Sequence, residues 1–275
     1  MKKLIMLTFI MGLIAACNQG ASELRSANGS ANPLAPSFWP AGQAAFPLNV
    51  RLSTNFDAAE NIVVQASASS WSSAVGNRVN FFDTAGSIAE KGGSLDSYND
   101  GIMGVYKLTS WPSDLPVTAL AVTQIFGLRR NIGQSNEAIE ISHADILVNY
   151  DNWSFTTTGG AGYDLETVVL HEFGHFLGLG HDNSSTSQSV MFPTISRFTT
   201  NKAPLDRDKT AIASLYNISG VVSAGASRSI ANVQDDQDKG ETEAVVIQFE
   251  LRADGSERVK VDGKYISNYK CKHKH

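Results

Sequence analysis

Residues 171–182 read His-Glu-Phe-Gly-His-Phe-Leu-Gly-Leu-Gly-His-Asp, and this segment restricts the possible folds more than any other. His171 and His175 are four residues apart, so on a helix both imidazoles lie on one face, one turn apart. Gly178 can adopt positive φ where the helix ends, which lets His181 approach the same point. Three imidazoles around a divalent ion leave a position open for water, as in catalytic rather than structural zinc sites. The alternative is a helix that holds these histidines by chance.

The same segment resembles the metzincin signature HExxHxxGxxH, which implies a zinc endopeptidase. Metzincins also carry a methionine turn beneath the zinc, and the sequence Ser-Val-Met-Phe-Pro around Met191 is similar to it. Its Met-x-Pro form resembles the matrixins, the branch that includes the matrix metalloproteinases. Asp182 replaces the serine usual in animal matrixins, which favours a bacterial relative. A weaker similarity extends from Phe38 to Tyr216.

The resemblance implies a role for each residue of the motif. Zinc lowers the pKa of its bound water to about 7. Glu172, next to His171, would then take the proton of this water and pass it to the leaving amine. Met191 would form an apolar floor beneath the zinc ligands without binding the metal.

The resemblance also implies where a substrate binds. In matrixins an extended substrate adds to an edge strand above the active-site helix, and the matching stretch here is Ala119, Leu120 and Ala121. Val168, one turn before His171, and the residues that follow Pro193 would form the walls of the specificity pocket. Val168 as a plain core residue is the alternative.

We expect one catalytic zinc per chain. Animal matrixins hold a second, structural zinc through histidines ahead of the active-site helix. The corresponding segments of this chain contain only His143, which we interpret as a structural residue. Oxygen-rich loops suit Ca²⁺ better, and a calcium site is possible but unassigned among four residues: Asp96, Asp100, Asn149 and Asp151.

Hydrophobic periodicity predicts an α+β fold. The resemblance specifies it as a zincin, or metzincin, fold: a twisted mixed sheet with an active-site helix, a second helix packed on the sheet and a closing C-terminal helix. Strands are predicted at 46–53, 78–83, 104–108, 119–126 and 139–150, and helices at 57–75, at 163–177 and from Asp206. A β-hairpin is predicted within 245–261, around a turn at Asp254-Gly255. The catalytic domain is therefore 37–217, and 218–275 form a C-terminal hairpin extension with a basic tail.

The N-terminus is typical of an export signal. Two lysines precede an apolar run that is too short to span a bilayer, so residues 1–16 are interpreted as a signal peptide. The run ends Ile-Ala-Ala-Cys, which resembles a bacterial lipobox and predicts lipidation of Cys17. Residues 17–36 would be a flexible tether. A plain secretory peptide is the alternative.

These features predict a protein outside the cytoplasm, lipid-anchored in the cell envelope at the outer membrane, or secreted. Latency in matrixins comes from a propeptide cysteine. The segment before Phe38 contains only Cys17, so we expect activity without proteolytic trimming.

Composition limits the partners. The net charge is −5 without a long basic run, which argues against nucleic acid. Two cysteines exclude a disulfide framework. The hypothesis is a monomeric zinc endopeptidase that acts on extended polypeptides. The alternatives are a non-catalytic surface or adhesion module on the same fold, and a zinc hydrolase of cell-wall peptides.

Overall fold

The computed structural model describes residues 35–182, 189–193, 195–221, 241–253 and 256–270. The predicted signal peptide, Cys17, most of the tether and the end of the basic tail lie outside these residues. Three α-helices are present in the described part of the chain: α1 (Ala58–Ala74), α2 (Leu165–Phe176) and α3 (Asp206–Leu215). No described helix has the length and apolar character needed to cross a membrane.

Thirteen strands are described. They are β1 (Ser37–Phe38), β2 (Leu48–Asn49), β3 (Arg51–Ser53), β4 (Phe82–Asp83), β5 (Ser87–Ile88), β6 (Gly104–Leu108), β7 (Ala119–Arg130), β8 (Ala138–Asn149), β9 (Phe155–Thr156), β10 (Tyr163–Asp164), β11 (Thr242–Arg252), β12 (Ser256–Val261) and β13 (Lys264–Lys270). The predicted α+β class and mixed sheet are confirmed.

Most of these strands form one twisted mixed sheet. Its order within the described residues is β13-β12-β11-β7-β8-β6-β3-β5, and β1 pairs with β8 beside this path. The pairs of β8 with β6 and of β6 with β3 are parallel, whereas β7 pairs antiparallel with both β8 and β11. β7 therefore has partners on both sides. The expectation that Ala119, Leu120 and Ala121 lie on a free edge is wrong, because the C-terminal segment pairs with that edge.

Helix α1, within the predicted range 57–75, begins at a capping box. The Asp57 side chain accepts a hydrogen bond from the Glu60 backbone N–H, and the Glu60 carboxylate accepts one from the Asp57 N–H, at 2.9 and 2.8 Å. Val64, Ala68 and Trp71, spaced four and three residues apart, form one buried apolar stripe along the helix. Trp71 donates from its indole nitrogen to the Leu170 carbonyl at 3.0 Å, which fixes α1 against α2.

The C-terminal strands belong to the same sheet as the rest of the chain. The predicted hairpin strands are confirmed as β11 and β12, while the predicted turn at 254–255 lies outside the described residues. A third strand, β13, follows them. β7 continues to Arg130 rather than ending at Phe126, because β8 and β11 pair with it along its full length. The predicted strand 78–83 is reduced to Phe82–Asp83. The division into domains at residue 217 remains a prediction.

Candidate metal centre

His171 and His175 both lie on helix α2. Asp164 caps it, accepting hydrogen bonds from the Thr167 backbone N–H and hydroxyl at 2.8 and 2.7 Å. All twelve residues of the helix are buried. The Nε2 atoms of His171 and His175 are 2.9 Å apart, so the spacing of four places them at one point, as predicted.

The turn after α2 brings in the third histidine. Gly178 has a φ of +93°, and a Cβ atom at this position would collide with the Ser37 carbonyl oxygen. Only glycine satisfies both conditions. The chain then reverses so that His181 Nε2 lies 3.2 Å from the Nε2 of His171 and 3.0 Å from that of His175.

Backbone carbonyls set the tautomer of the two helix histidines. His171 Nδ1 lies 2.7 Å from the Val190 carbonyl oxygen, and His175 Nδ1 lies 2.7 Å from that of Leu179. A carbonyl only accepts, so each Nδ1 carries the proton and each Nε2 keeps its lone pair. Burial, with the neighbouring His181, lowers the pKa of His171 to about 3 and that of His175 well below its usual range. Both rings are therefore neutral, as a metal ligand must be.

The three nitrogens fit a tetrahedral ion. Zn–N bonds of about 2.0–2.1 Å place tetrahedral ligand atoms about 3.3–3.4 Å apart, close to the observed separations. Among the described residues, these histidines form the one cluster of three or more metal-ligating side chains. His171, His175 and His181 could therefore hold a metal.

Glu172 lies beside this cluster and is fully buried. Its Oε2 accepts a hydrogen bond of 2.5 Å from the Thr123 hydroxyl on β7. Its Oε1 has no hydrogen-bond partner in the described part of the chain. Burial raises the pKa of Glu172 to about 8, against the lowering effect of the Thr123 hydrogen bonds. One carboxylate oxygen is thus fixed and the other is available.

Met191 lies under the helix, as the methionine turn predicts. It is buried, and a Cβ atom on Gly174 would collide with its sulfur. Asp208 on α3 holds this turn: Oδ1 accepts from the Ser189 hydroxyl at 2.5 Å and Oδ2 from the Val190 N–H at 3.0 Å. Val190 is the residue whose carbonyl orients His171, so Asp208 acts on His171 through the turn.

Sequence reasoning missed both Thr123 and Asp208. Thr123 looks like an ordinary strand residue, and Asp208 looks like an acidic residue in the first turn of a helix. Each makes its functional contact with a residue at least eighteen positions away, which local patterns do not reveal.

The predicted substrate-binding residues come together only in part. Leu120, Ala121 and Val168 form one buried apolar cluster, together with Tyr163, Ile195 and Leu251. Pro193 is buried just before Ile195. Ala119 belongs to a different apolar cluster. A substrate role for these residues remains a prediction.

His143 and two of the four residues considered for calcium make contacts within the protein. His143 Nε2 lies 2.8 Å from both Asp145 Oδ2 and the Tyr98 carbonyl oxygen, a structural position. Asp100 pairs with Lys91 at 2.6 Å, and Asn149 donates to the Ala119 carbonyl at 2.8 Å. A calcium site at Asp96, Asp100, Asn149 and Asp151 remains a prediction.

Comparison with known proteins identifies the family. The matrixin family matches residues 5–217. Matrix metalloproteinase-27 of Homo sapiens is 43% identical over 67 residues, 24% of this chain and 12% of that protein. Metalloendoproteinase 2-MMP of Arabidopsis thaliana is 54% identical over 46 residues, 17% of this chain and 11% of that protein. Karilysin of Tannerella forsythia is 38% identical over 78 residues, 28% of this chain and 15% of that protein.

These matches cover 11–15% of the relatives' own length, so they concern a short part of each relative. The family match covers most of this chain and includes the whole histidine motif and Met191. The resemblance noted in the sequence is confirmed: this chain belongs to the matrixin family of zinc-dependent metallopeptidases.

Proposed function

We propose that this protein is a zinc-dependent endopeptidase that hydrolyses peptide bonds within extended polypeptide segments. The observation that carries the proposal is the convergence of three imidazole nitrogens beside the buried Glu172 side chain, one oxygen of which has no hydrogen-bond partner among the described residues. His171, His175 and His181 would hold the metal. When bound, zinc supplies a Lewis acid and an activated water.

The protein's own groups perform the proton transfers. Thr123 fixes Oε2 of Glu172, so Oε1 is the atom that takes up a proton and returns it to the leaving nitrogen. The Val190 and Leu179 carbonyls keep the ligand rings oriented. Glu172 in this position argues against a non-catalytic surface module, which has no use for a buried carboxylate.

Polypeptide is the substrate class that the surroundings support. β7 pairs along its outer side with an antiparallel strand, which is the geometry of an extended peptide added to a sheet. The apolar cluster around Val168 would accept one side chain of that peptide. A zinc hydrolase of cell-wall peptides has no specific observation in its favour.

Three finer points complete the proposal. The protein would bind one catalytic zinc, would act as a monomer, and would be anchored outside the cytoplasm through a lipid on Cys17.

The test is Glu172→Gln in the full chain, assayed on fluorescein-labelled casein with and without a chelator. General acid–base catalysis contributes about 10²–10⁴-fold, so we expect at least that loss of cleavage. Metal analysis should still give one zinc per chain, since Glu172 is not a ligand. Glu166→Gln is the matched control, because Glu166 lies on the same helix but pairs with Lys202.

The same substitution is also made in the Leu251→Asp protein described below. Cleavage by a Glu172→Gln protein at the same rate as a parent that itself cleaves casein, wild type or Leu251→Asp, would overturn the mechanism. Absence of cleavage by the wild type and by the released variants described below would overturn the proposed function.

A further inference from the structure

The outer side of β7 is covered by the chain's own C-terminal segment. β11 runs antiparallel to β7 from the Thr242–Arg130 pair to the Arg252–Ala119 pair. The Ala253 N–H extends the pairing by donating to the Thr118 carbonyl at 3.1 Å. The main-chain groups that an extended substrate would need on this side are therefore already paired.

One side chain of β11 covers the metal ligands. The Phe249 ring is stacked on the His175 ring, with 4.1 Å between centroids and an interplanar angle of 10°. It also meets the His181 ring edge-on, at 5.9 Å and 80°. Thr123, which holds Glu172, is the residue directly opposite Phe249 in the sheet. Phe249 thus lies where the metal ligands and the general base meet.

A second side chain of β11 fills the predicted specificity pocket. Leu251 points to the same side of the strand as Phe249, two residues on, and has no exposed surface. It packs in the cluster formed by Leu120, Val168 and Ile195. Val168 and the segment after Pro193 are the predicted walls of the pocket, and Leu120 belongs to the strand predicted to pair with substrate.

On the opposite face of β11, hydrogen bonds and an ion pair between charged side chains hold the strand in place. Glu250 is fully buried and accepts hydrogen bonds from Arg252 at 2.6 Å and from the Tyr265 hydroxyl at 3.1 Å. Lys260 lies 3.5 Å from Glu250 and donates to the Asp114 carbonyl at 3.3 Å. The hairpin is therefore fastened to the segment that leads into β7.

We infer that β11 inhibits the protein in cis, by occupying the strand-binding side of β7 and the specificity pocket as a substrate would. The inference rests on the proposed function, because inhibition requires an activity. It replaces the expectation that the full chain is active without trimming. The inhibitor is a C-terminal strand, and its principal contacts with the site are Phe249 and Leu251.

The test compares three full-length, zinc-loaded proteins: wild type, Leu251→Asp and Gln248→Asp. Leu251→Asp places a carboxylate in the apolar pocket and should expel the strand. Gln248→Asp is the matched control, since it adds the same charge to the opposite face of β11. The first readout is the Kd of a fluorescent peptide hydroxamate with a leucine side chain. The second is the rate of casein cleavage.

We expect Leu251→Asp to bind the hydroxamate about 10- to 100-fold more tightly than wild type, the equivalent of removing one buried leucine from competition. Gln248→Asp should bind it as wild type does. Equal affinity in all three proteins would overturn the inference. If the affinities differ as expected but no protein cleaves casein, β11 does occupy the binding site, and the proposed endopeptidase function is wrong.

Unfolding of Leu251→Asp is checked by hydrogen exchange. Amides of α2 should stay protected, while amides of β7 that pair with β11 lose protection. Phe249→Ala is the second variant, because it removes the ring on His175 without adding a buried charge. It should tighten hydroxamate binding by about 10-fold or more. Wild-type affinity in a folded Phe249→Ala protein would also count against the inference.

Discussion

Helix α2 and strand β11 meet at the contact between His175 and Phe249, but different forces position them. The helix makes its own backbone hydrogen bonds, and its ligands are at most ten residues apart in sequence. β11 depends on β7, more than a hundred residues earlier, for its backbone partners. Local helix geometry therefore positions the histidines, whereas long-range backbone pairing positions β11. An extended segment of another chain offers the same backbone groups as β11 does.

The two regions should therefore respond to damage in opposite ways. On the proposed function, a change that loosens α2 or its turns should displace the three histidines and lower activity. On the inferred inhibition, a change that loosens β11 should uncover the same histidines and raise activity. The comparison would fail if both regions responded with the same sign.

The largest effect is expected at Gly178, where the chain leaves α2. Gly178→Ala forces a residue with a Cβ to a φ of +93° and drives that atom into the Ser37 carbonyl. The backbone strain alone costs about 1–3 kcal/mol, and the collision adds to it. We expect a fall in the free energy of unfolding of at least that size in urea titrations, with a weaker zinc affinity because His181 is displaced.

Gly180→Ala is the control for this change. Gly180 lies two residues further on, and a Cβ there meets no atom within 4 Å. Its substitution should change neither quantity measurably. Equal destabilisation by both variants would mean that the turn at Gly178 is not what positions His181.

An intermediate effect is expected at Asp208, which supports the methionine turn from α3. Asp208→Asn keeps the shape but leaves one oxygen to accept from groups that include the Ser189 hydroxyl and the Val190 N–H. At least one buried bond is lost, at a cost of about 1–3 kcal/mol. Zinc affinity, measured by competition with a chelating dye, should fall about 10-fold, as for other outer supports of a metal ligand.

Asp206→Asn provides the comparison on the same helix. Asp206 is exposed and pairs only with Lys209 in the part of the chain that the structure describes. Its loss should cost little stability. Wild-type zinc affinity in Asp208→Asn would show that the Val190 carbonyl orients His171 without the contact from Asp208.

The convergence of His171, His175 and His181 was predictable because it follows from helix periodicity and one glycine. The capping box of α1 and the core position of Trp71 were predictable for the same reason, since each depends on spacings of three and four residues. The alternation of Val245, Ile247, Phe249 and Leu251 predicts a strand with one apolar face. It does not say which sheet edge that face will cover, because any edge offers the same backbone groups.

Thr123 and Asp208 lie beyond sequence reasoning for a related cause. A threonine in a strand and an aspartate at the start of a helix each have an ordinary local explanation. Their contacts with Glu172 and with the methionine turn depend on how distant elements pack.

The smallest effect, and the most informative in sign, is expected at Lys260 on β12. Lys260→Met keeps most of the side chain's length but removes its ion pair with Glu250 and its hydrogen bond to Asp114. The pair is largely buried but long, at 3.5 Å, and Glu250 keeps its shorter bond from Arg252 at 2.6 Å. Its loss should therefore cost only about 0.5–1 kcal/mol and should loosen β11 without expelling it. The rate of casein cleavage should then rise about 2- to 5-fold, which is the same free energy expressed as a population of the open form. Lys264→Met is the control, because Lys264 is exposed on β13, and it should leave the rate unchanged. A fall in activity in Lys260→Met would mean that the hairpin supports the catalytic site rather than covering it, and the opposition between α2 and β11 would be lost.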